Sequence, residues 1–198
     1  MPINAPYKGK DFDPVPAGNH IARCYQILHI GTVPEEYEGR VNMMNKVRFT
    51  WELPNETKVF KEGEPAKPLS ISKDYTLSMG DKANLRKVVE GWLGAGLHKE
   101  EAEFFDVETL IGQPCMLNVV HKKSKGGNLY ADVLGVASIP KGMTAPEAIN
   151  TSRVINYENF DQAVFDKLPD FLKDKMKKSE EYKRLTDPGS VSADEIPF

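Results

Sequence analysis

The stretch LSISKDYTLSMGDKANLRKVVEGWLG, residues 69–94, changes its hydrophobic period once and so indicates the fold. Up to Met79, apolar residues alternate with polar ones, which is the period of a half-buried strand. After Gly80, apolar residues recur every three or four positions, as they do on one face of an amphipathic helix. The residues on that face are Leu85, Val88, Val89 and Trp92. A strand therefore leads directly into a helix.

Strand patterns lie on both sides of this stretch. Residues 19–31 are apolar and rich in β-branched side chains, which predicts a long strand, and residues 32–45 follow as a predicted loop. Residues 46–53, KVRFTWEL, alternate cleanly and place four apolar side chains on one face, namely Val47, Phe49, Trp51 and Leu53. Beyond a short predicted helix at 99–105, residues 115–139 form a predicted hairpin around the basic turn KKSKGGN.

The order of these elements is three strands, a helical segment and two further strands. A sandwich would need more strands, and a doubly wound sheet would need helices between all of them. The order predicts a mainly β fold, a five-stranded OB-fold barrel with a helix between strands 3 and 4. A C-terminal helical extension and a disordered acidic tail are expected after it.

The predicted organisation has four parts. Residues 1–17, rich in proline and glycine, form an N-terminal arm, and residues 18–140 form the OB-fold domain. Residues 141–185 comprise a linker and amphipathic helices that break near Pro169. Residues 186–198 are expected to form a flexible tail, because they contain little that could be buried.

Composition limits the function. The chain has 26 Lys and Arg against 29 Asp and Glu, a net charge of −3, so any nucleic-acid surface must be a local basic patch. No apolar run approaches the roughly 20 residues of a membrane span, and the N-terminus lacks a secretory signal pattern. Cys24 and Cys115 are therefore expected to be reduced thiols.

Catalytic motifs are lacking in the sequence. It contains neither a phosphate-binding loop nor a nucleophile elbow, and its two cysteines do not have zinc-ligand spacing. The four histidines are scattered along the chain. We expect a protein that is not an enzyme and that uses neither a cofactor nor a metal ion.

Basic and aromatic residues fall where OB-folds bind oligonucleotides, on strands 2 and 3 and on the loops that join strands 1–2 and 4–5. Cations neutralise phosphates, and flat rings stack on unpaired bases. Tyr75 suits the core and a stacking position equally well, and the hairpin lysines could simply be a solvated tip. The predicted DNA-binding residues are Tyr37, Arg40, Lys46, Arg48, Lys73, Tyr75, Lys122, Lys123, Lys125 and Tyr130.

The C-terminal residues ADEIPF form a second candidate site. They resemble the acidic tip of bacterial single-stranded DNA-binding proteins, which ends in acids followed by Ile-Pro-Phe. That resemblance implies docking of replication or repair enzymes, whose hydrophobic pocket with a basic rim would hold the tip. The predicted interaction residues are Asp194, Glu195, Ile196, Pro197 and Phe198.

A broader resemblance covers roughly residues 15–145 and is carried by the segments 71–94 and 105–143. These segments look like bacteriophage single-stranded DNA-binding proteins with an OB-fold. The resemblance implies a protein of phage replication and recombination that coats single-stranded DNA in the cytoplasm of the infected bacterial host, with self-association on DNA as a further expectation. The short linker and the helix before the tail depart from the bacterial proteins.

Two alternatives to DNA binding stay open at this point. A non-enzymatic OB-fold adaptor would use the domain to bind protein, and the near-neutral charge favours it. An RNA-binding OB-fold protein is the other, since stacking sites seldom separate RNA from DNA unless the 2′-hydroxyl is contacted.

Overall fold

The computed structural model describes residues 13–187. Within that range the chain forms six strands and five α-helices, with a 3₁₀ helix at Val107–Leu110. The strands are β1 Gly18–Tyr37, β2 Arg40–Lys58, β3 Lys67–Thr76, β4 Pro114–Lys123, β5 Leu129–Ala137 and β6 Arg153–Ile155. The helices are α1 Asn84–Leu93, α2 Lys99–Glu103, α3 Gln162–Asp166, α4 Asp170–Lys177 and α5 Glu180–Thr186.

Five strands form an antiparallel sheet in the order β3-β2-β1-β4-β5, and α1 lies between β3 and β4 along the chain, as predicted. The fold is mainly β, as predicted, but the sheet is open and has a sixth strand, so the five predicted strands do not close into a barrel. β4 pairs with β1 only over Gly18–Arg23, which leaves the same edge free from Gln26 onward. There β6 pairs with β1 in parallel.

The predicted loop at 32–45 is also wrong. β1 and β2 continue as a two-stranded ribbon, residues 32–45, that closes at Glu38 and Gly39. Both turn residues have positive φ, 51° and 74°, and two-residue turns of this kind match the twist of the strands they join. Glutamate and proline are depleted in strands, so the sequence of the ribbon has no clear strand pattern.

One face of the sheet holds the main core, which α1 covers. The predicted apolar face of residues 46–53 is confirmed, since Val47, Phe49, Trp51 and Leu53 are all buried. Phe49 stacks on Trp51 with ring centroids 5.7 Å apart, and Trp92 of α1 packs edge-on against Phe49 at 6.3 Å.

The opposite face of the sheet carries a second apolar cluster under the C-terminal helices. Leu28, Ile30 and Val33 of β1 pack there against side chains from β6, α3 and α4. Because alternate residues of a strand point to opposite faces, Ile27 joins the main core while Leu28 joins this cluster. β1 is consequently buried on both faces, and the C-terminal helices cover its outer side.

Candidate functional site

β3 and β5 are the two outer strands of the sheet, and no main-chain pairing joins them. We call the line along which they face each other the seam. Side chains bridge it. Lys73 of β3 donates to the carboxylate of Asp132 at 2.9 Å and to the main-chain oxygen of Val133. Lys122 of β4 donates to the same carboxylate. Burial alone would raise the pKa of Asp132, but the hydrogen bonds from the two lysines outweigh it and lower the pKa. Two predicted phosphate contacts, Lys73 and Lys122, therefore share one counterion within the protein.

One end of the seam presents aromatic rings to solvent. Phe60 and Tyr130 are 55% and 45% exposed and line one hollow of about 460 Å³ with Leu129 and Lys58. Tyr130 is the second residue of β5, close to the β4–β5 turn, and Phe60 follows β2. Phe60 was missed in the sequence, where it lies in a charged loop. The available signal was an aromatic residue within a charged predicted loop.

The β4–β5 turn beside this hollow is a tight hairpin turn, as predicted. Ser124 and Asn128 close it, with Ser124 N donating to Asn128 O at 2.9 Å and Asn128 N donating to Ser124 Oγ at 3.1 Å. Lys123 and Lys125 are exposed, and neither forms an ion pair with any residue in the range 13–187. The turn therefore carries two cations that a ligand could reach.

The other end of the seam is a cleft of about 660 Å³ between β3, β5 and the start of α1. Lys46 of β2 lines it, as do Lys82 and Lys87, which the sequence did not single out. Lys82 and Lys87 lie in the helical pattern, where a lysine is ordinarily a solvated residue. Only the packing of α1 beside β5 brings them to the seam.

Arg48 is engaged within the protein. Its guanidinium donates to Asp74 at 2.6 Å and lies 5.7 Å from the ring centre of Phe171 in α4. Lys175 of the same helix binds the other oxygen of Asp74 at 3.0 Å. The outer face of β2 and β3 is thus covered at Arg48 by the C-terminal helices, and the expectation of a free phosphate contact there is corrected.

Tyr75 belongs to the core, which corrects its prediction as a stacking residue. Its ring is 6% exposed and packs edge-on against Phe49, with ring centroids 6.0 Å apart. Burial, followed by the charge of Asp132, raises the pKa of its phenol. The phenol stays neutral, and its ring has no free face for a base.

The remaining predicted residues lie away from the seam or outside the described range. Arg40 is exposed at the tip of the ribbon, opposite Tyr37 in register, and about 20 Å along β2 from Lys46 at the usual rise per residue. The side chain of Tyr37 is not among those described. The tail residues Asp194, Glu195, Ile196, Pro197 and Phe198 lie outside residues 13–187, as does most of the predicted N-terminal arm.

Two further properties concern the described residues as a whole. None of the helices between residues 13 and 187 is long and apolar enough to cross a membrane. In the same range, no three His, Cys, Asp or Glu side chains are grouped so that they could hold a metal ion.

No protein-family model matches the chain, and no curated protein matches it.

Proposed function

We propose that this protein binds single-stranded DNA without catalysing a reaction, and that the seam between β3 and β5 is its binding site. One observation carries the proposal: exposed aromatic rings and lysines converge on this seam in a protein of net charge −3. Phe60 and Tyr130 offer faces for base stacking. The lysines of the hairpin turn offer charge for the phosphates between those bases.

The topology supports an OB-type architecture. Five antiparallel strands in the order β3-β2-β1-β4-β5, with a helix between β3 and β4, have the connectivity expected of that fold. OB-folds are partly open barrels, and an open seam between strands 3 and 5 is compatible with this. Strand β6 and the C-terminal helices are additions to the pattern.

The chemistry of the site favours single strands. In a duplex, neighbouring base pairs cover both faces of each base, so Phe60 and Tyr130 would find no free ring surface. A single strand exposes its bases, and aromatic stacking is worth about 1–3 kcal/mol per base with little dependence on sequence. The protein would coat transient single strands and protect them from re-pairing.

Recruitment of other proteins is the second part of the proposal. The segment from Asp194 to Phe198 would dock replication or repair enzymes in the cytoplasm of a phage-infected bacterium, as the resemblance of ADEIPF implies. Replacing Phe198 with alanine should reduce capture of such enzymes from host extract while leaving DNA affinity unchanged. Equal capture by both proteins would remove the tail from the proposal.

A parallel titration tests the DNA proposal. Fluorescent single-stranded DNA, duplex DNA and RNA of one length are titrated with the protein across a salt series. We expect single-stranded DNA to bind best, with a slope of log K against log salt of about −0.7 for each phosphate neutralised. Tighter RNA binding would make the protein an RNA binder. No binding at low salt would overturn the proposal and favour the adaptor.

A further inference from the structure

We propose that the cleft between α1, β3 and β5 is a second binding site for the phosphodiester backbone, so that one bound strand runs the whole length of the seam. This inference rests on the proposed function and assigns a ligand to residues that the aromatic end does not include. The cleft has a volume of about 660 Å³, and its lysines come from β2, from β3, from the segment before α1 and from α1 itself.

The first argument is that three lysines of the cleft have no acidic partner. Lys46, Lys82 and Lys87 all line it, and none forms an ion pair with a residue between 13 and 187. Other lysines near the seam behave differently, since Lys73 and Lys122 are both held by Asp132. Among the lysines that lie near the seam, those without an acidic partner are therefore in the cleft and on the hairpin turn.

The second argument concerns the carboxylate in the cleft. Asp74 is the one acidic residue among those that line it. Its Oδ1 accepts from Arg48 at 2.6 Å and its Oδ2 accepts from Lys175 at 3.0 Å. Both oxygens are thus occupied by cations from the outer face of the sheet, and Asp74 does not offset the lysines of the cleft. An anionic ligand would supply the missing charge.

The walls of the cleft favour a nucleotide chain over a small inorganic anion. Leu134 of β5 is 65% exposed there, and Val88 and Met44 add apolar surface. Thr76 and Ser78 contribute hydroxyl groups. Cations, hydroxyl groups and apolar surface together complement the phosphates, sugars and bases of a single strand. An inorganic phosphate would use only the cations.

A last argument is that the cleft continues directly from the hollow that Phe60 and Tyr130 line. The hollow is lined by Ser72 and Ala131, and the cleft begins one residue further along β3, at Lys73, and two residues further along β5, at Val133. From Tyr130 to Gly135, β5 rises about 17 Å, which corresponds to about five stacked nucleotides at 3.4 Å each. One strand could therefore stack on Tyr130 and place its later phosphates near the lysines of the cleft.

The test compares the wild-type protein with Lys82→Ala/Lys87→Ala. Lys141→Ala/Lys183→Ala is the matched control, because it removes two exposed lysines that do not line the cleft. The probes are fluorescent oligothymidylates of four to sixteen nucleotides. We expect the cleft variant to bind the longest probe more weakly, with a log–log salt slope shallower by about 1.4. The control should keep the wild-type slope.

The length series adds an independent readout. Affinity of the wild type should continue to rise beyond about five nucleotides, whereas that of the cleft variant should level off earlier. Lys82→Gln/Lys87→Gln keeps most of the side-chain stem and should reproduce the result, which excludes a folding defect. Salt-sensitive wild-type binding with an unchanged cleft variant would overturn this inference alone. Failure of the wild type to bind any probe would overturn the proposed function as well.

Discussion

The carboxylate of Glu52, which is fully buried on the outer face of β2, accepts two hydrogen bonds from Asn150. The main-chain nitrogen of Asn150 donates at 2.7 Å and its side-chain nitrogen at 2.6 Å, while Ile149 N donates to the other carboxylate oxygen at 2.8 Å. A buried carboxylate is costly unless it is hydrogen-bonded, and here the donors come from the segment that leads to β6. Glu52 thereby attaches that segment to the sheet.

Asn150→Ala should destabilise the protein by about 1.5–3 kcal/mol, because it leaves a buried carboxylate one donor short. The free energy of unfolding from urea titration measures this. Asn55→Ala is the matched control, since Asn55 is exposed and should change stability by less than about 0.5 kcal/mol. If the two variants were equally stable, the attachment through Glu52 would contribute nothing.

Gly31→Ala should weaken the packing of α5 against β1. Gly31 has φ +89°, and a Cβ there would lie 2.7 Å from Ser179 Cβ and 2.5 Å from Glu181 Oε2, which also accepts from Thr32 N. Gly39 has φ +74° and nothing within 4 Å of a Cβ, so Gly39→Ala has the backbone strain without the clash. Strain alone costs about 1–3 kcal/mol.

Limited proteolysis within 153–187 and urea unfolding together measure that effect. Gly31→Ala should be cleaved faster and should be less stable than Gly39→Ala, because only the former displaces α5. Identical behaviour of the two alanine variants would mean that α5 adjusts without leaving β1.

Lys123→Ala/Lys125→Ala should weaken binding of single-stranded DNA and make the salt slope shallower by up to about 1.4. Both side chains are exposed on the hairpin turn, so the thermal melting temperature should stay the same. Lys122→Ala should act differently and lower stability, because it removes a donor from Asp132. A lowered melting temperature of the double variant would show that the turn lysines are structural.

Tyr130→Ala and Tyr75→Ala should separate binding from stability. Tyr130 is exposed, so its loss should cost about 1–3 kcal/mol of DNA affinity and little stability. Tyr75 is buried against Phe49, so its loss should cost about 3–5 kcal/mol of stability. Urea unfolding and fluorescence titration measure the two quantities. An unstable Tyr130→Ala with full affinity would remove Tyr130 from the site.

Asp132→Asn should reduce stability at neutral pH and much less in acid. The pKa of Asp132 is lowered in the folded protein. The ionised carboxylate therefore stabilises the fold above the ordinary aspartate pKa of about 4. This stabilisation is lost as the pH falls through the lower pKa of the folded state. The difference in unfolding free energy between wild type and variant should therefore shrink below about pH 4. A difference independent of pH would contradict the ion pairs with Lys73 and Lys122.

Much of the fold could be predicted because its signals are local. The alternation of residues 46–53 identified the buried face of β2, since adjacent side chains of a strand point to opposite sides. The change of period after Gly80 identified α1 for the same kind of reason. The ribbon at 32–45 was missed because its closing turn uses Glu38 at positive φ, which side chains other than glycine seldom adopt.

The candidate site depends far more on the tertiary structure. The sequence could predict Tyr130 and the hairpin lysines as accessible candidates for DNA contacts, because a turn between two strands is exposed wherever the sheet lies; that they contact DNA stays a prediction. It could not determine that Arg48 is covered by α4, or that Lys82 and Lys87 line the seam. Both facts depend on contacts between residues that are far apart in the chain. The charge or the aromatic ring of a residue does not determine which distant residue packs against it in the folded protein.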